Sequence, residues 1–405
     1  MVSWSRDLVI SLPLLLLTGC SPRVTTSFWR IGTPSDSTRE GYAVLYEGKK
    51  MRHCYPITEW TEQLSPITNN QSSLPDTYHS LHHHGVAVES ELMAYRIYFD
   101  KKQTIDPYCK RKPQLELAQS HWYPNDSLLA AGYGDDILRV SGTVGVGSVK
   151  YWQTLQTGEA ANLQTGQNAQ TGKLCHFDKV ASRSQRIVKQ TKNSATIEVA
   201  VKGWQVPLNN SQLNDFSQLS TLNSQLVNLT VQYTMQAGHR DMRCDVFLSE
   251  PVEGLCTGVQ TIPAKGGWPT DTIVLPDGTI GLGNNSQLSI INCQLPNGVL
   301  LASFGRDWPV NDSAKYAKET VGLAVFIPKQ YAGSLVHDKS NNLCLLKLAP
   351  QTNGHRPSNP QTGEAANNHC HFFLTVVGAT KENHPVATTV EDWFAYLRKW
   401  AKNLR

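Results

Sequence analysis

The sequence lacks the short motifs by which several large enzyme classes are recognised. It contains no G-x-S-x-G nucleophile elbow, no phosphate-binding G-x-x-x-x-G-K-[ST], no H-E-x-x-H zinc helix and no dinucleotide fingerprint after a strand. These absences argue against a serine hydrolase, a nucleotide-dependent enzyme and a zinc protease.

The sequence also has no large net charge and no closely spaced pair of cysteines. The 37 Lys and Arg residues against 33 Asp and Glu residues leave a formal charge of +4, and the cations are scattered, so nucleic acid is not expected as a partner. The eight cysteines after Cys20 form no CxxC pair and match no metal-ligand spacing. Neither a metal nor a cofactor is predicted, and most of these cysteines are expected to be buried thiols.

Long apolar runs are absent after the N-terminus. Arg6 precedes an apolar stretch from Leu8 to Leu17, and Leu17-Thr18-Gly19-Cys20 follows as a lipobox. The stretch is about ten residues long, whereas a membrane span needs about twenty. We therefore expect residues 1–20 to be a lipoprotein signal peptide and Cys20 to carry the lipid that attaches the protein to a membrane. Ser21 favours the outer membrane, on its periplasmic side.

Short runs of β-branched, aliphatic and aromatic residues dominate the rest of the chain, separated by Gly, Asn, Asp or Pro. This pattern predicts a mainly β protein in which antiparallel sheets pack face to face as a large sandwich over residues 21–385. A hairpin is expected at Ala237-Gly238-His239. The predicted strands cover 137–151, 194–204, 225–236, 240–248, 279–282, 298–304, 321–327 and 371–377.

Two other segments depart from the strand pattern. Gln156-Thr157-Gly158-Glu159-Ala160-Ala161-Asn162 recurs word for word at 361–367, and partial copies extend to residue 172. Such polar, glycine-rich copies cannot bury a face and are expected to be exposed loop insertions. Residues 386–405 predict a C-terminal helix, because a Thr388-x-x-Glu391 capping box precedes apolar residues at helical spacing.

The segment from His82 to Lys102 concentrates His, Glu, Arg, Tyr and Lys in one strand-like run. Read at period two from Glu89, it places the side chains of Arg96, Tyr98 and Asp100 on one face, where they are expected to converge on one ligand. Lys101 follows directly as a further binding candidate.

This segment, together with Gly132-Tyr133-Gly134-Asp135-Asp136 and Ala237-Gly238-His239-Arg240-Asp241, resembles the bacterial domain of unknown function 4861 family. The resemblance covers roughly Trp29 to the C-terminus. It implies a galactose-mutarotase-like β-sandwich, from a group that recurs among pectin- and uronate-utilisation genes. The family usually has glycine where this chain has Cys109.

Uronate chemistry, as the resemblance implies it, needs a cation for the sugar carboxylate and a group that moves a proton. Arginine suits a carboxylate best, which makes Arg96, Arg139 and Arg240 the candidates. His84, His239 or Tyr98 is chemically suited as the base. A mutarotase reaction would instead need a histidine acid with Glu89 or Glu91 as base, and Trp308 is the best candidate for a stacking platform.

Simpler interpretations stay open for several of these residues. Glu89 and Glu91 are also compatible with a solvent-facing strand, and Arg96 with Asp100 is compatible with an ordinary ion pair. Asp135 and Asp136 favour a turn or cap over calcium binding. The leading hypothesis is a carbohydrate-active enzyme that acts on an acidic oligosaccharide by lyase, hydrolase or epimerase-type proton chemistry. Its competitor is a noncatalytic glycan-binding lipoprotein on the same fold.

Overall fold

The computed structural model describes residues 24–47, 50–64, 77–120, 122, 124–154, 172–206, 226–262, 273–274, 280–284, 287–310, 316–350 and 368–404. Its α-helices are α1 (Thr77–Ser80), α2 (Leu117–Ser120), α3 (Asp126–Ala130) and α4 (Val390–Asn403), and 3-10 turns lie at Pro34–Thr38 and His82–His84. Its strands are β1 (Val24–Ser27), β2 (Trp29–Ile31), β3 (Ala43–Glu47), β4 (Lys50–Pro56), β5 (Glu59–Gln63), β6 (Ala87–Ser90), β7 (Met93–Ile97), β8 (Ile105–Cys109), β9 (Asp135–Asp136), β10 (Lys150–Thr154), β11 (Gly172–Cys175), β12 (Ser182–Gln190), β13 (Ser194–Gln205), β14 (Leu226–Gln236), β15 (Met242–Leu248), β16 (Leu255–Gln260), β17 (Ile273–Val274), β18 (Ile280–Asn284), β19 (Gln287–Leu295), β20 (Gly298–Asp307), β21 (Glu319–Pro328), β22 (Ala332–His337), β23 (Asn341–Leu346), β24 (Ala349–Pro350) and β25 (Asn368–Gly378).

The strands form four antiparallel sheets. The largest, here called the large sheet, has twelve strands in the order β17-β18-β19-β20-β21-β25-β15-β14-β13-β12-β5, with β24 paired to β25. A second sheet, here called the front sheet, has the order β1-β6-β7-β8-β9. The two others are β11-β10-β16-β23-β22 and β2-β4-β3.

The front sheet and the large sheet face each other across the main apolar core. Val88, Met93 and Tyr95 of the front sheet belong to the same buried cluster as Val231 and Val246 of the large sheet. Because side chains alternate along a strand, the polar residues between these positions lie on the outer face of each sheet. The predicted mainly β antiparallel sandwich with a C-terminal helix is confirmed.

The segment from Glu89 to Asp100, which was predicted to be a single strand, instead contains the turn of a tight hairpin. β6 ends at Ser90 and β7 begins at Met93, so Glu91 and Leu92 lie in the turn. The turn reverses the alternation, and Glu89, paired with Ala94, lies on the same outer face as Arg96. The prediction that Glu89 and Arg96 lie on opposite faces was wrong, because period-two counting does not detect a two-residue turn.

A second strand prediction was also wrong. Residues 137–149 are an irregular segment, and the strand there begins only at Lys150. Gly145 and Gly147 adopt positive φ in this segment, a conformation that breaks the ladder and that glycine tolerates. The hairpin at Ala237-Gly238-His239 is confirmed between β14 and β15.

Helix α4 packs its apolar stripe on the outer face of the large sheet. Trp393 and Leu397 lie in a buried cluster with Phe373 and Val377 of β25. The N-cap is Thr389, whose hydroxyl accepts from the Asp392 amide at 3.2 Å. The cap therefore lies one residue later than the predicted Thr388 box.

Several sequence predictions concern residues beyond the described ranges. Cys20, residues 156–171 and residues 361–367 all lie outside them. Among the described residues, no helix is both long and apolar enough to cross a membrane. Seven cysteines in the described part of the chain are free thiols, and six of them are buried, as the sequence predicted.

Candidate functional site

The outer face of the front sheet carries a buried polar cluster centred on Arg96. Its Nε and Nη2 atoms donate to one oxygen of Asp106 at 2.9 and 2.7 Å, and Nη2 donates to the Tyr98 hydroxyl at 3.0 Å. Asp136 contributes a second carboxylate 3.7 Å away. β7 and β8 place Arg96 directly opposite Asp106, which explains the first pair. Arg96 and Tyr98 therefore converge as predicted, but on carboxylates of the chain itself.

These carboxylates are electrostatically unusual. Burial raises the pKa of Asp106, although the Arg96 guanidinium acts in the opposite direction. Burial, and then the negative charge of Asp106, holds the pKa of Asp136 well above its ordinary value. Two carboxylates that share one guanidinium away from water disfavour simultaneous ionisation. Asp106 and Asp136 therefore favour a state in which at least one of them is protonated, and both are buried away from solvent.

Aromatic side chains and unusual backbone surround this pair. The Trp122 ring lies 4.5 Å from the Arg96 guanidinium carbon, and His84 stacks on Tyr78 at 4.1 Å. His83, His84 and Trp122 adopt φ values of 63°, 61° and 70°, in the left-handed region that non-glycine residues rarely use. Such backbone strain is more common at functional sites than elsewhere. The His84 Nδ1 lies 2.9 Å from the Tyr78 carbonyl, and this contact fixes the 82–84 turn.

Glu89 has a structural role, because its carboxylate is engaged by other residues of the chain. Its carboxylate ion-pairs with Lys110 and accepts from the backbone amides of Glu116 and Leu117 at 2.9 and 3.0 Å. The side chain is fully buried. These contacts hold the start of α2 against the front sheet, and they occupy both carboxylate oxygens.

Glu91, by contrast, lines an open depression that we call the basic cleft. The cleft has a volume of about 90 Å³. The Glu91 carboxylate accepts from the Gly238 amide at 3.1 Å, which ties the turn of the front sheet to the β14–β15 hairpin. The cleft is lined by Glu91, Leu92, Lys110, Arg111, Lys112, Pro113, Arg240, Glu382 and His384.

The cations of the basic cleft differ in how they are engaged. Arg240 donates to both oxygens of Glu382 at 2.9 and 3.0 Å, and Lys110 is paired with Glu89. Arg111 makes no side-chain hydrogen bond or ion pair with any residue in the described ranges, and Lys112 donates only to the Ala131 carbonyl at 3.1 Å. Arg111 and Lys112 are therefore the cations available to an anionic ligand.

The side chains of His239 and Arg240, which are adjacent in the chain, point to different surroundings in the structure. His239 is exposed, with its Nδ1 3.1 Å from Asp241, whereas Arg240 points inward to Glu382. The backbone carbonyls of both residues are fixed by the front sheet, since Ser90 donates to His239 O and Tyr95 donates to Arg240 O. The hairpin is thereby anchored beside the basic cleft.

Asp135 lies between the Arg96 cluster and the basic cleft along the sheet. It pairs with Cys109 across β8 and β9 and contacts Lys381 at 3.8 Å, next in sequence to Glu382. Burial raises its pKa to about 6, against the opposing charge of Lys381. Its Oδ1 accepts from the Asp136 amide at 2.9 Å, so the predicted turn role is present as well.

The remaining predicted site residues lie elsewhere. Asp100 accepts from the Lys102 and Gln103 amides at 2.8 and 2.9 Å and so closes a turn, and exposed Lys101 pairs with Asp178. Arg139 lies 3.5 Å from Asp307. Trp308 follows Asp307 and has the Lys318 ammonium 4.0 Å above its ring. None of these four residues lines the basic cleft.

Sequence reasoning missed Asp106, Arg111, Lys112, Glu382 and His384. A usable signal existed for two of them, because Lys110-Arg111-Lys112 is a run of three consecutive cations in a chain whose charges are otherwise dispersed. Glu382 and His384 are about 270 residues away in sequence and follow β25, which the pairing with β15 places beside Arg240. No local pattern marks them.

Together, these features define a class: an antiparallel β-sandwich protein with a buried carboxylate cluster on its front sheet and a basic cleft between the β6–β7 turn and the β14–β15 hairpin. The model of the family described as a domain of unknown function (DUF4861) matches residues 50–405, and the chain belongs to this family. No curated protein matches the chain.

Proposed function

We propose that the protein is a lipoprotein, anchored through Cys20 to the periplasmic side of the outer membrane, that acts on acidic, uronate-containing oligosaccharides of the pectin type. The N-terminal sequence supports the anchoring, and the basic cleft supports the substrate class. The observation that carries the proposal is the convergence of Arg111 and Lys112 on a cleft that also holds Glu91.

The cleft suits a carboxylate in charge and in size. Its volume is about 90 Å³. Sites that enclose a whole drug-sized ligand are larger, on the order of 300 Å³ or more. The cleft therefore receives the charged end of a sugar, and the remainder of the oligosaccharide lies along the neighbouring surface.

Proton abstraction next to a bound carboxylate is the chemistry that fits this arrangement best. Cations that neutralise the carboxylate stabilise the negative charge that develops when the adjacent carbon loses its proton. Glu91 and His384 line the cleft and are the candidate bases. Hydrolysis fits less well, since it needs two carboxyl groups flanking the bond, and both oxygens of Glu382 are engaged by Arg240.

A noncatalytic glycan-binding role is the alternative, and one observation favours it. Asp106 and Asp136, whose pKa values are raised by burial, are only 1 % and 4 % exposed, so a substrate has no direct access to them. A binding protein needs only the cations of the cleft. A measurement of product formation distinguishes the two roles, since only the enzyme would convert its ligand.

The test uses the protein without residues 1–20 and a panel of tri- and tetrasaccharides of galacturonate, with neutral galactose oligomers of equal length as controls. The expected result is binding of the acidic oligomers only, with appearance of an unsaturated uronate detected by its ultraviolet absorbance and by mass. Binding without any product would favour the glycan-binding alternative. Equal binding of neutral and acidic oligomers would contradict both.

A further inference from the structure

A second cluster of ligand-type side chains lies on the outer face of the large sheet. Asp245 of β15 is directly opposite His371 of β25, and His369 lies two residues before His371 on the same strand. Each of the three side chains offers a ligand atom, and these atoms all lie within 4.8 Å of one another. The cluster shares no residue with the basic cleft.

Strand geometry explains the convergence. Cys244 and Val246, on either side of Asp245, lie in the main core, and so do Cys370 and Phe372 beside His371. Alternation along the strands therefore directs Asp245, His369 and His371 away from that core to the same outer surface. All three are half-buried, so the cluster is reachable from solvent.

We propose that Asp245, His369 and His371 bind a divalent transition-metal cation of the zinc type. Two imidazole nitrogens and one carboxylate oxygen form a donor set suited to such ions, and a water molecule or an exogenous ligand completes the coordination. The His369 Nε2 lies 3.2 Å from the Asp245 Oδ1. Two ligands on one zinc ion lie roughly 3.4 Å apart, as bonds of about 2.0 to 2.1 Å at a tetrahedral angle require.

The surroundings support metal binding. The His371 Nδ1 is buried and has no hydrogen-bond partner among the described residues, so this nitrogen can accept a metal bond without losing a hydrogen bond to one of them. Tyr331 lies edge-on to the same ring at 4.9 Å and limits its movement.

Arg243 is the cation already present at the cluster. It donates to both oxygens of Asp245 at 2.8 and 2.7 Å. A ligating carboxylate is commonly oriented by a hydrogen-bond donor behind it, and Arg243 occupies that place. The metal shares Asp245 with Arg243, and the two histidines supply the remaining affinity.

The experiment is calorimetric titration of chelator-treated protein with zinc chloride, using wild type and the single variants His369→Ala and His371→Ala. Wild type is expected to bind one equivalent at this site, with a dissociation constant of about 1 µM or below, and each variant to bind it about 100-fold more weakly. His337→Ala is the matched control, since His337 lies on β22 of another sheet and is exposed. Its titration should equal that of wild type.

Two results would overturn the proposal. The first is the absence of any zinc binding by wild type at about 100 µM, and the second is unchanged binding in both variants, which would assign the metal to other histidines or to the thiols. Thermal unfolding without metal shows whether each variant is folded. If His371→Ala is not, His371→Phe preserves ring volume against Tyr331 while removing the ligand, and it should lose zinc to the same extent.

Discussion

The Arg96 guanidinium and the Asp106 carboxylate form a doubly hydrogen-bonded ion pair in which both side chains are only 1 % exposed to solvent. The pair lies on the outer face of the front sheet, beneath Trp122 rather than in the main core. A buried pair of this kind contributes little net stability, but the loss of one partner leaves a charge without compensation.

Arg96→Gln should therefore destabilise the protein strongly. We expect the free energy of unfolding at pH 7 to fall by about 3 to 5 kcal/mol, because Asp106 and Asp136 lose the cation between them. Urea denaturation measures the change. Lys101→Gln is the control, since its pair with Asp178 is exposed and its loss should cost less than about 1 kcal/mol. Similar losses in the two variants would contradict the structural account of Arg96.

The pH dependence of stability tests the environment of Asp135. Its pKa is raised to about 6 in the folded protein, above the ordinary value, so the folded state binds the proton more tightly than the unfolded chain. The stabilisation that the tighter proton binding by Asp135 gives the folded state is complete below about pH 4. It is lost as the pH rises through 6, and the free energy of unfolding then falls by about 3 kcal/mol in total.

Asp135→Asn has no such proton to lose. The stability of wild type relative to this variant should therefore decrease between pH 4 and 7, as measured by urea denaturation at each pH. Asp126→Asn, on exposed α3, is the control and should track wild type. A constant difference between wild type and Asp135→Asn across this range would show that Asp135 titrates normally.

The fold was largely predictable from the sequence, and the reasons are local. Val, Ile and aromatic residues at alternate positions specified most strands of the large sheet, and the capping threonine with an apolar stripe specified α4. The Glu91-Leu92 turn was not predictable in this way, because it carries neither glycine nor asparagine, the residues that usually mark two-residue hairpins. One missed turn reversed the predicted faces of the segment.

A close contact between Cys109 and Gly378 offers a prediction about packing. A Cβ atom on Gly378 would lie 2.4 Å from the Cys109 Sγ. Gly378→Ala should destabilise the protein by about 1 to 3 kcal/mol through overpacking. Adding Cys109→Ala removes the sulfur and should restore part of that loss, giving a favourable coupling energy in a double-mutant cycle. Additive effects would indicate that the two residues do not touch.

The candidate site was less predictable than the fold, because its residues come from distant parts of the chain. Arg96 and Tyr98 were placed together correctly, since they are two positions apart in sequence, Arg96 within β7 and Tyr98 directly after its last residue. Their partner Asp106 comes from the next strand, and Glu382 follows the last strand. A single sequence carries information about neighbours along a strand but not about the strands that will lie beside it.

The central claim is that the basic cleft binds the carboxylate of an acidic oligosaccharide through Arg111 and Lys112. The most direct measurement is calorimetric titration of trigalacturonate into wild type, the Arg111→Gln/Lys112→Gln double variant and a Lys189→Gln/Lys192→Gln double variant that removes the same charge from a remote, exposed surface. We expect the cleft variant to bind at least about tenfold more weakly, as the loss of a charge-assisted hydrogen bond requires, and the remote variant to bind like wild type. Equal affinities for all three proteins, or equal losses in the two variants, would contradict the account.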